Sequence, residues 1–136
     1  MIVERLSGVL MEEKDLTILI CDDSLLARRS LKENLASLNI TSILEVSDGQ
    51  SAVDVFKEKH PDIVFLDIVM PVKDGIQAVR EMIEHDPAAS IVMVSSVGTQ
   101  ANLREALKAG AIDFIQKPAE FEQLKNVITT IVKNKV

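Results

Sequence analysis

The chain has 136 residues, 47% apolar and 26% charged, with a formal net charge of -6; that suits one globular domain with a substantial core and argues against disorder. The shortage of Lys and Arg argues against direct nucleic-acid binding, because phosphate backbones are held by a basic surplus. A single cysteine, Cys21, excludes an internal disulfide framework. No run approaches the roughly 20 apolar residues that span a bilayer, so a cytoplasmic protein without membrane insertion is expected.

Residues 1–15 read as an N-terminal extension before a domain over 16–136. Ile2, Val3, Leu6, Val9 and Leu10 recur at helical spacing and predict a short amphipathic helix. Met11 equally suits a natural start, with 1–10 an upstream segment; the N-terminus lacks the pattern of a secretory signal. From Leu16 onward, apolar runs over 16–21, 40–46, 63–66, 91–94 and 112–115 predict five strands. Rich in Ile, Leu and Val and without strict alternation, they suit strands buried on both faces. Cys21 lies within the first and reads as a small core residue.

Helical stripes fall between them. Ala27, Leu31, Leu35 and Leu38 follow Asp23 and Ser24, either of which can cap a helix. Ala52, Val53 and Phe56 follow Ser47-Asp48-Gly49 and stop near His60-Pro61; Ile76, Val79 and Ile83 follow Asp74-Gly75. Leu103, Ala106 and Leu107 mark a fourth helix closed by Gly110, and Phe121, Leu124, Val127, Ile128 and Ile131 a fifth. Five strand-helix units imply right-handed crossovers and a parallel sheet with helices on both faces, a doubly wound α/β fold. His60 and His85 have no ligand partner at metal-binding spacing and read as surface residues. The chain stops soon after its fifth helix, so no separate output domain is expected.

Charged residues stand where the strand runs end: Asp22 and Asp23, Asp67, and Lys117. In a parallel α/β sheet the carboxyl ends of the strands share one edge, so these residues become one cluster. Two like charges about 4 Å apart repel by roughly 4 kcal/mol at an effective dielectric near 20. Three carboxylates together therefore call for a proton or a cation, and a hard divalent ion such as Mg2+ prefers such oxygen ligands. Taken singly, the acid pair could be a helix N-terminus that favours negative charge and Lys117 a loop lysine. Asp67, flanked by Phe65, Leu66 and Ile68, would be a buried carboxylate needing a partner.

Asp22-Asp23-Ser24, Asp67-Ile68-Val69-Met70-Pro71 with Asp74-Gly75, Ser95, and Phe114-Ile115-Gln116-Lys117-Pro118 together resemble the receiver domains of two-component response regulators. The similarity runs over about residues 16–134. It implies a flavodoxin-like five-stranded sheet of order 2-1-3-4-5 with five helices. By that resemblance Asp67 is the phosphoacceptor, forming an acyl phosphate with a group supplied by a histidine kinase. Asp23 and Asp67 would ligate Mg2+ directly, the Val69 backbone carbonyl would add an oxygen, and Asp22 would act largely through bound water. Lys117 would pair with Asp67 and then with a phosphoryl oxygen. Ser95 would bond the phosphoryl group and move inward, and Phe114 would be the aromatic switch residue, lacking the tyrosine hydroxyl of many relatives.

Residues 92–96 and 109–114 look most like chemotaxis regulators of the CheY-like single-domain type. The resemblance implies a signalling domain, not a turnover enzyme, with a protein target docked on the fourth helix, fifth strand and fifth helix. One alternative is a phosphorelay intermediate serving a histidine phosphotransfer protein. Another is a Mg2+-dependent phosphohydrolase, but relatives of the haloacid dehalogenases carry a second acid where this chain has Val69. Val69 and Val97 replace positions that are often polar in receivers, which predicts slow self-dephosphorylation.

Overall fold

Residues 2–6, 9–12, 16–96 and 99–135 are described by the computed structural model, with side chains over 16–96 and 99–134; Val97 and Met1 lie outside. The predicted N-terminal helix is absent. In its place β1 (Ile2–Leu6) and β2 (Val9–Glu12) pair antiparallel, with Leu6 opposite Val9 and Arg5 opposite Leu10. A helix of about ten residues is marginal in isolation. Cross-strand pairing satisfies the same backbone groups, and a Ser-Gly pair between the runs is a turn signal in the sequence. The β1 strand lies beside the last helix.

The main sheet has five parallel strands: β3 (Thr17–Cys21), β4 (Ser42–Val46), β5 (Ile63–Leu66), β6 (Ile91–Ser95) and β7 (Asp113–Gln116). Their order is β4-β3-β5-β6-β7, which is 2-1-3-4-5 counted within this sheet, as expected. Successive strand residues point to opposite faces, and here both faces are covered. Ile18, Ile20, Phe65, Val92 and Ile115 pack against α1 (Leu25–Ala36) and α5 (Phe121–Lys135). Leu19, Cys21, Val64, Leu66 and Met93 pack against α2 (Gly49–Lys59), α3 (Gly75–His85) and α4 (Gln100–Ala109). This double burial is why the strands read as continuous apolar runs.

Four helices start at a side-chain oxygen that accepts a hydrogen bond from the third residue onward: Ser24, Asp48, Asp74 and Thr99. Such caps contribute about 1 kcal/mol each. Ser24, not Asp23, caps α1, which leaves the Asp23 carboxylate for other work. Gly110 ends α4 at φ 119°, a conformation that suits glycine. Gly75 has a different reason: its N–H donates to the Ile68 carbonyl at 2.7 Å, and any side chain there would collide with the Asp67 carbonyl. The β5–α3 loop can therefore fold back over Asp67.

One stripe marks its helix but not a buried face. In α4 only Ala106 is fully buried, whereas Leu103 and Leu107 remain 36% and 45% exposed.

Candidate functional site

The strand register sets the site. Cys21 pairs with Leu66, and Ser95 with Gln116, so Asp22, Asp67 and Lys117 each stand one residue beyond the end of their strand. The backbone ladder continues into these residues: Asp67 N–H donates to the Cys21 carbonyl at 2.9 Å, Lys117 N–H to Ser95 at 3.0 Å, and Asp22 N–H to Val46 at 3.2 Å. The side chains of the candidate site thus inherit the rigidity of the sheet.

Asp22, Asp67 and Ser95 are the buried polar residues among those described. Lys117 Nζ donates to Asp67 Oδ2 at 3.0 Å and lies 2.5 Å from Asp22 Oδ2, so one ammonium serves two carboxylates. The remaining oxygens are also held. Asp67 Oδ1 accepts from the Ile68 N–H at 2.7 Å, and Asp22 Oδ1 from the Ser24 N–H at 2.9 Å. Burial pulls the Lys117 pKa down, but the hydrogen bonds and charges of Asp22 and Asp67 outweigh it and set it above the ordinary lysine value. Lys117 is therefore fully charged at neutral pH. A largely apolar cavity of about 260 Å³, lined in part by Ala27, Leu31, Phe65 and Val94, flanks Asp67 and Lys117 and lowers the dielectric on that side.

Asp23 is exposed, and one oxygen from each of Asp22, Asp23 and Asp67 lies within 4.8 Å of the others. Trans oxygens around an octahedral Mg2+ lie about 4 Å apart, so small side-chain shifts bring this donor set to size. Three carboxylates against one ammonium also leave two negative charges uncompensated. Donor type, spacing and charge all fit a hard divalent ion. Val69, in the loop two residues past Asp67, is 58% exposed.

Ser95 ends β6, fully buried. Phe114 pairs with Met93 on the neighbouring strand, which puts Ser95 and Phe114 diagonally across one face of the sheet, within reach of long side chains. Phe114 is partly buried against the core beneath α2, α3 and α4. His60 and His85 are exposed, as expected, but their rings stand 6.2 Å apart at the helix ends remote from the acid cluster.

Arg28 and Glu45 were not singled out by sequence reasoning. Arg28 Nη1 donates to the Asp22 carbonyl at 2.6 Å and its Nε to Glu45 Oε1 at 3.2 Å. One signal could have found Arg28: side chains in the first turn of a helix point back toward its N-terminus, here toward the acid pair.

The family model for the response regulator receiver domain matches residues 18–129. Chemotaxis protein CheY of Thermotoga maritima is 39% identical over 116 residues, covering 85% of this chain and 97% of that protein. Protein CcdB of Bacillus subtilis is 36% identical over 115 residues, covering 85% and 96%. Among solved structures, the CheX-CheY-BeF3-Mg+2 complex from Borrelia burgdorferi superposes with a TM-score of 0.82 at 31% identity, over 86% of this chain and 89% of that one. With the acid cluster and lysine at the strand ends and the 2-1-3-4-5 sheet, these matches show that the chain belongs to the response regulator receiver domain family.

Proposed function

We propose that this chain accepts a phosphoryl group on Asp67 from the phosphohistidine of a histidine kinase, in a Mg2+-dependent reaction, and signals by docking onto a protein in chemotaxis. The observation that carries this reading is the buried Asp67 carboxylate, bonded to Lys117 and within 4.8 Å of Asp22 and Asp23. Asp23, Asp67 and the Val69 backbone carbonyl would hold Mg2+, with Asp22 acting largely through bound water. Bound there, the ion would offset charge on the phosphoryl oxygens.

An Asp67 carboxylate oxygen attacks phosphorus; the new O–P bond forms as the P–N bond breaks, and its electron pair stays on the donor imidazole. Lys117, paired with Asp67 before transfer, follows the negative charge onto a phosphoryl oxygen. Preset donors of this kind do most of the work in phosphoryl transfer. The Ser95 hydroxyl then bonds the phosphoryl group and moves inward, and Phe114 takes the space, biasing α4 between two arrangements. Exposed Leu103, Leu107 and Ile112 give the face of α4, β7 and α5 an apolar surface suited to a protein target. The CheY in the Borrelia burgdorferi complex is bound to CheX, which supports the capacity of such a domain to dock onto a protein partner. Cytoplasmic operation without direct nucleic-acid contact accords with the acidic charge; no described helix is long and apolar enough to cross a membrane.

Asp67→Asn should abolish hydroxylamine-sensitive labelling by a phosphohistidine donor or acetyl phosphate, because an amide is not a competent nucleophile. Labelling of the variant at wild-type stoichiometry would move the acceptor elsewhere. Repeated turnover of a phosphate ester by catalytic amounts of the wild type would favour a phosphohydrolase instead, and onward transfer to a histidine phosphotransfer protein a phosphorelay intermediate.

A further inference from the structure

Asp22 is held at four points. Its N–H reaches the Val46 carbonyl, its carboxylate takes the Ser24 N–H and the Lys117 ammonium, and its carbonyl takes the Arg28 guanidinium at 2.6 Å. That carbonyl belongs to the peptide joining Asp22 to Asp23. Asp23 is different: its carboxylate makes no hydrogen bond or ion pair to any described residue, so only its backbone determines where it stands. Whatever fixes the Asp22–Asp23 peptide fixes the exposed member of the acid cluster.

Arg28 is suited to that task because it is itself anchored. Its side chain is 16% exposed, and its Nε is tied to Glu45 on β4, whose other oxygen accepts from Lys32 at 2.9 Å. Lys32 first, and Arg28 with it, hold the Glu45 carboxyl below the usual glutamate value, so the anchor stays charged. Glu45 and Val46 are consecutive on β4, and they hold Asp22 on both sides, its N–H directly by Val46 and its carbonyl through Arg28 by Glu45.

We infer that Arg28, braced by Glu45, is a positioning residue for the divalent-cation site: it holds the Asp22–Asp23 peptide so that the Asp23 carboxylate is preset toward Asp22 and Asp67. This rests on the reading of the acid cluster as the Mg2+ site. A second effect opposes it, since a guanidinium beside a cation site repels the cation. The two effects predict opposite signs. Loss of positioning weakens Mg2+ binding when Arg28 is removed, whereas loss of repulsion alone strengthens it.

The test is the Mg2+ dissociation constant of the unphosphorylated full chain, followed by amide 1H-15N shifts. Removing a residue that orients metal ligands typically lowers affinity by 10- to 100-fold, and Arg28→Ala should fall at the low end, on the order of 10-fold. Arg28→Lys keeps the charge without the fork and should recover only part of the loss; Glu45→Gln should show a smaller weakening in the same direction. Arg29→Ala removes the same charge one residue along, outside this chain of bonds, and should leave binding unchanged. Labelling of Asp67 by acetyl phosphate should need more Mg2+ in Arg28→Ala but reach the wild-type maximum rate when Mg2+ saturates. Arg28→Ala binding Mg2+ as tightly as the wild type, or more tightly, overturns the inference. If Arg28→Ala does not fold, wild-type dissociation constants in both Arg28→Lys and Glu45→Gln do the same. Wild-type protein whose acid cluster ignores Mg2+ would refute the metal-site reading itself, and the inference with it.

Discussion

Asp23 is the acid-cluster residue with most to gain from a cation, because Lys117 is already shared between Asp22 and Asp67. Without metal it adds a third like charge within 4.8 Å of the other two. Asp23→Asn should therefore raise the melting temperature in EDTA, since it relieves repulsion worth about 1 kcal/mol once solvent screening at this exposed position is allowed for. That corresponds to a shift of roughly 2–6 °C for a chain of this size. Millimolar Mg2+ should stabilise the wild type by binding the native state, and the same substitution should erase most of that gain. Thermal melts of both proteins with EDTA and with Mg2+ check it. An Asp23→Asn protein that gains as much from Mg2+ as the wild type would put the ion somewhere else.

The β5–α3 connection carries a local strain that the neighbouring elements hold in place. Val72, 82% exposed, adopts φ 70° at the centre of a γ-turn closed by the Lys73 N–H on the Pro71 carbonyl, a strained positive-φ conformation that crowds a β-branched residue. Asn39 also has positive φ, at 65°, but asparagine tolerates it. The loop is pinned on either side of Val72, by Lys73 N–H on the Pro71 carbonyl at 2.7 Å and by Gly75 N–H on the Ile68 carbonyl at 2.7 Å, so it cannot relax without loosening its fold over Asp67. Val72→Asn should stabilise the protein by about 1 kcal/mol, since relief of such strain is worth roughly 1–2 kcal/mol per residue. Urea denaturation reads this as a higher midpoint at unchanged slope. A midpoint equal to or below that of the wild type would mean that the loop does not strain Val72.

Across the whole molecule, the helices are anchored unequally. Ala78, Val79 and Met82 bury α3, whereas α4 buries Ala106 with only the partly buried Ala109 packed beside it. Elements with little buried apolar surface open most readily and are the ones that move in switching. A phosphoryl mimic at Asp67 should therefore act on α4 by way of Ser95 and Phe114, which share one face of the sheet. With beryllofluoride and Mg2+ added, amide shift changes should concentrate at Ser95, in residues 99–110 and at Phe114, while Leu31 and Leu35 in α1 stay quiet. Changes confined to α1, with α4 unaltered, would defeat α4 as part of the output face.

The strand ends were legible in the sequence because strands buried on both faces must be apolar throughout, so the first charged residue marks where burial stops. Asp22, Asp67 and Lys117 could be grouped for that reason, since parallel strands bring their carboxyl ends to one edge. Helix starts were legible too, from capping residues such as Asp48 and Asp74. Other features depended on which surfaces meet. The apolar positions of residues 2–10 satisfy a helix as well as a ribbon, and cross-strand pairing decided between them. The stripe of Leu103 and Leu107 specified a helix, but periodicity carries no information about what covers a face, and here nothing among the described residues buries it. Arg28 meets Glu45 across 17 residues, because β4 pairs in parallel with β3 so that Glu45 falls beside Ile20, two residues before Asp22. Local pattern determined which residues are strand, cap and core; contacts between elements distant in the chain required the register that only packing both faces of the sheet imposes.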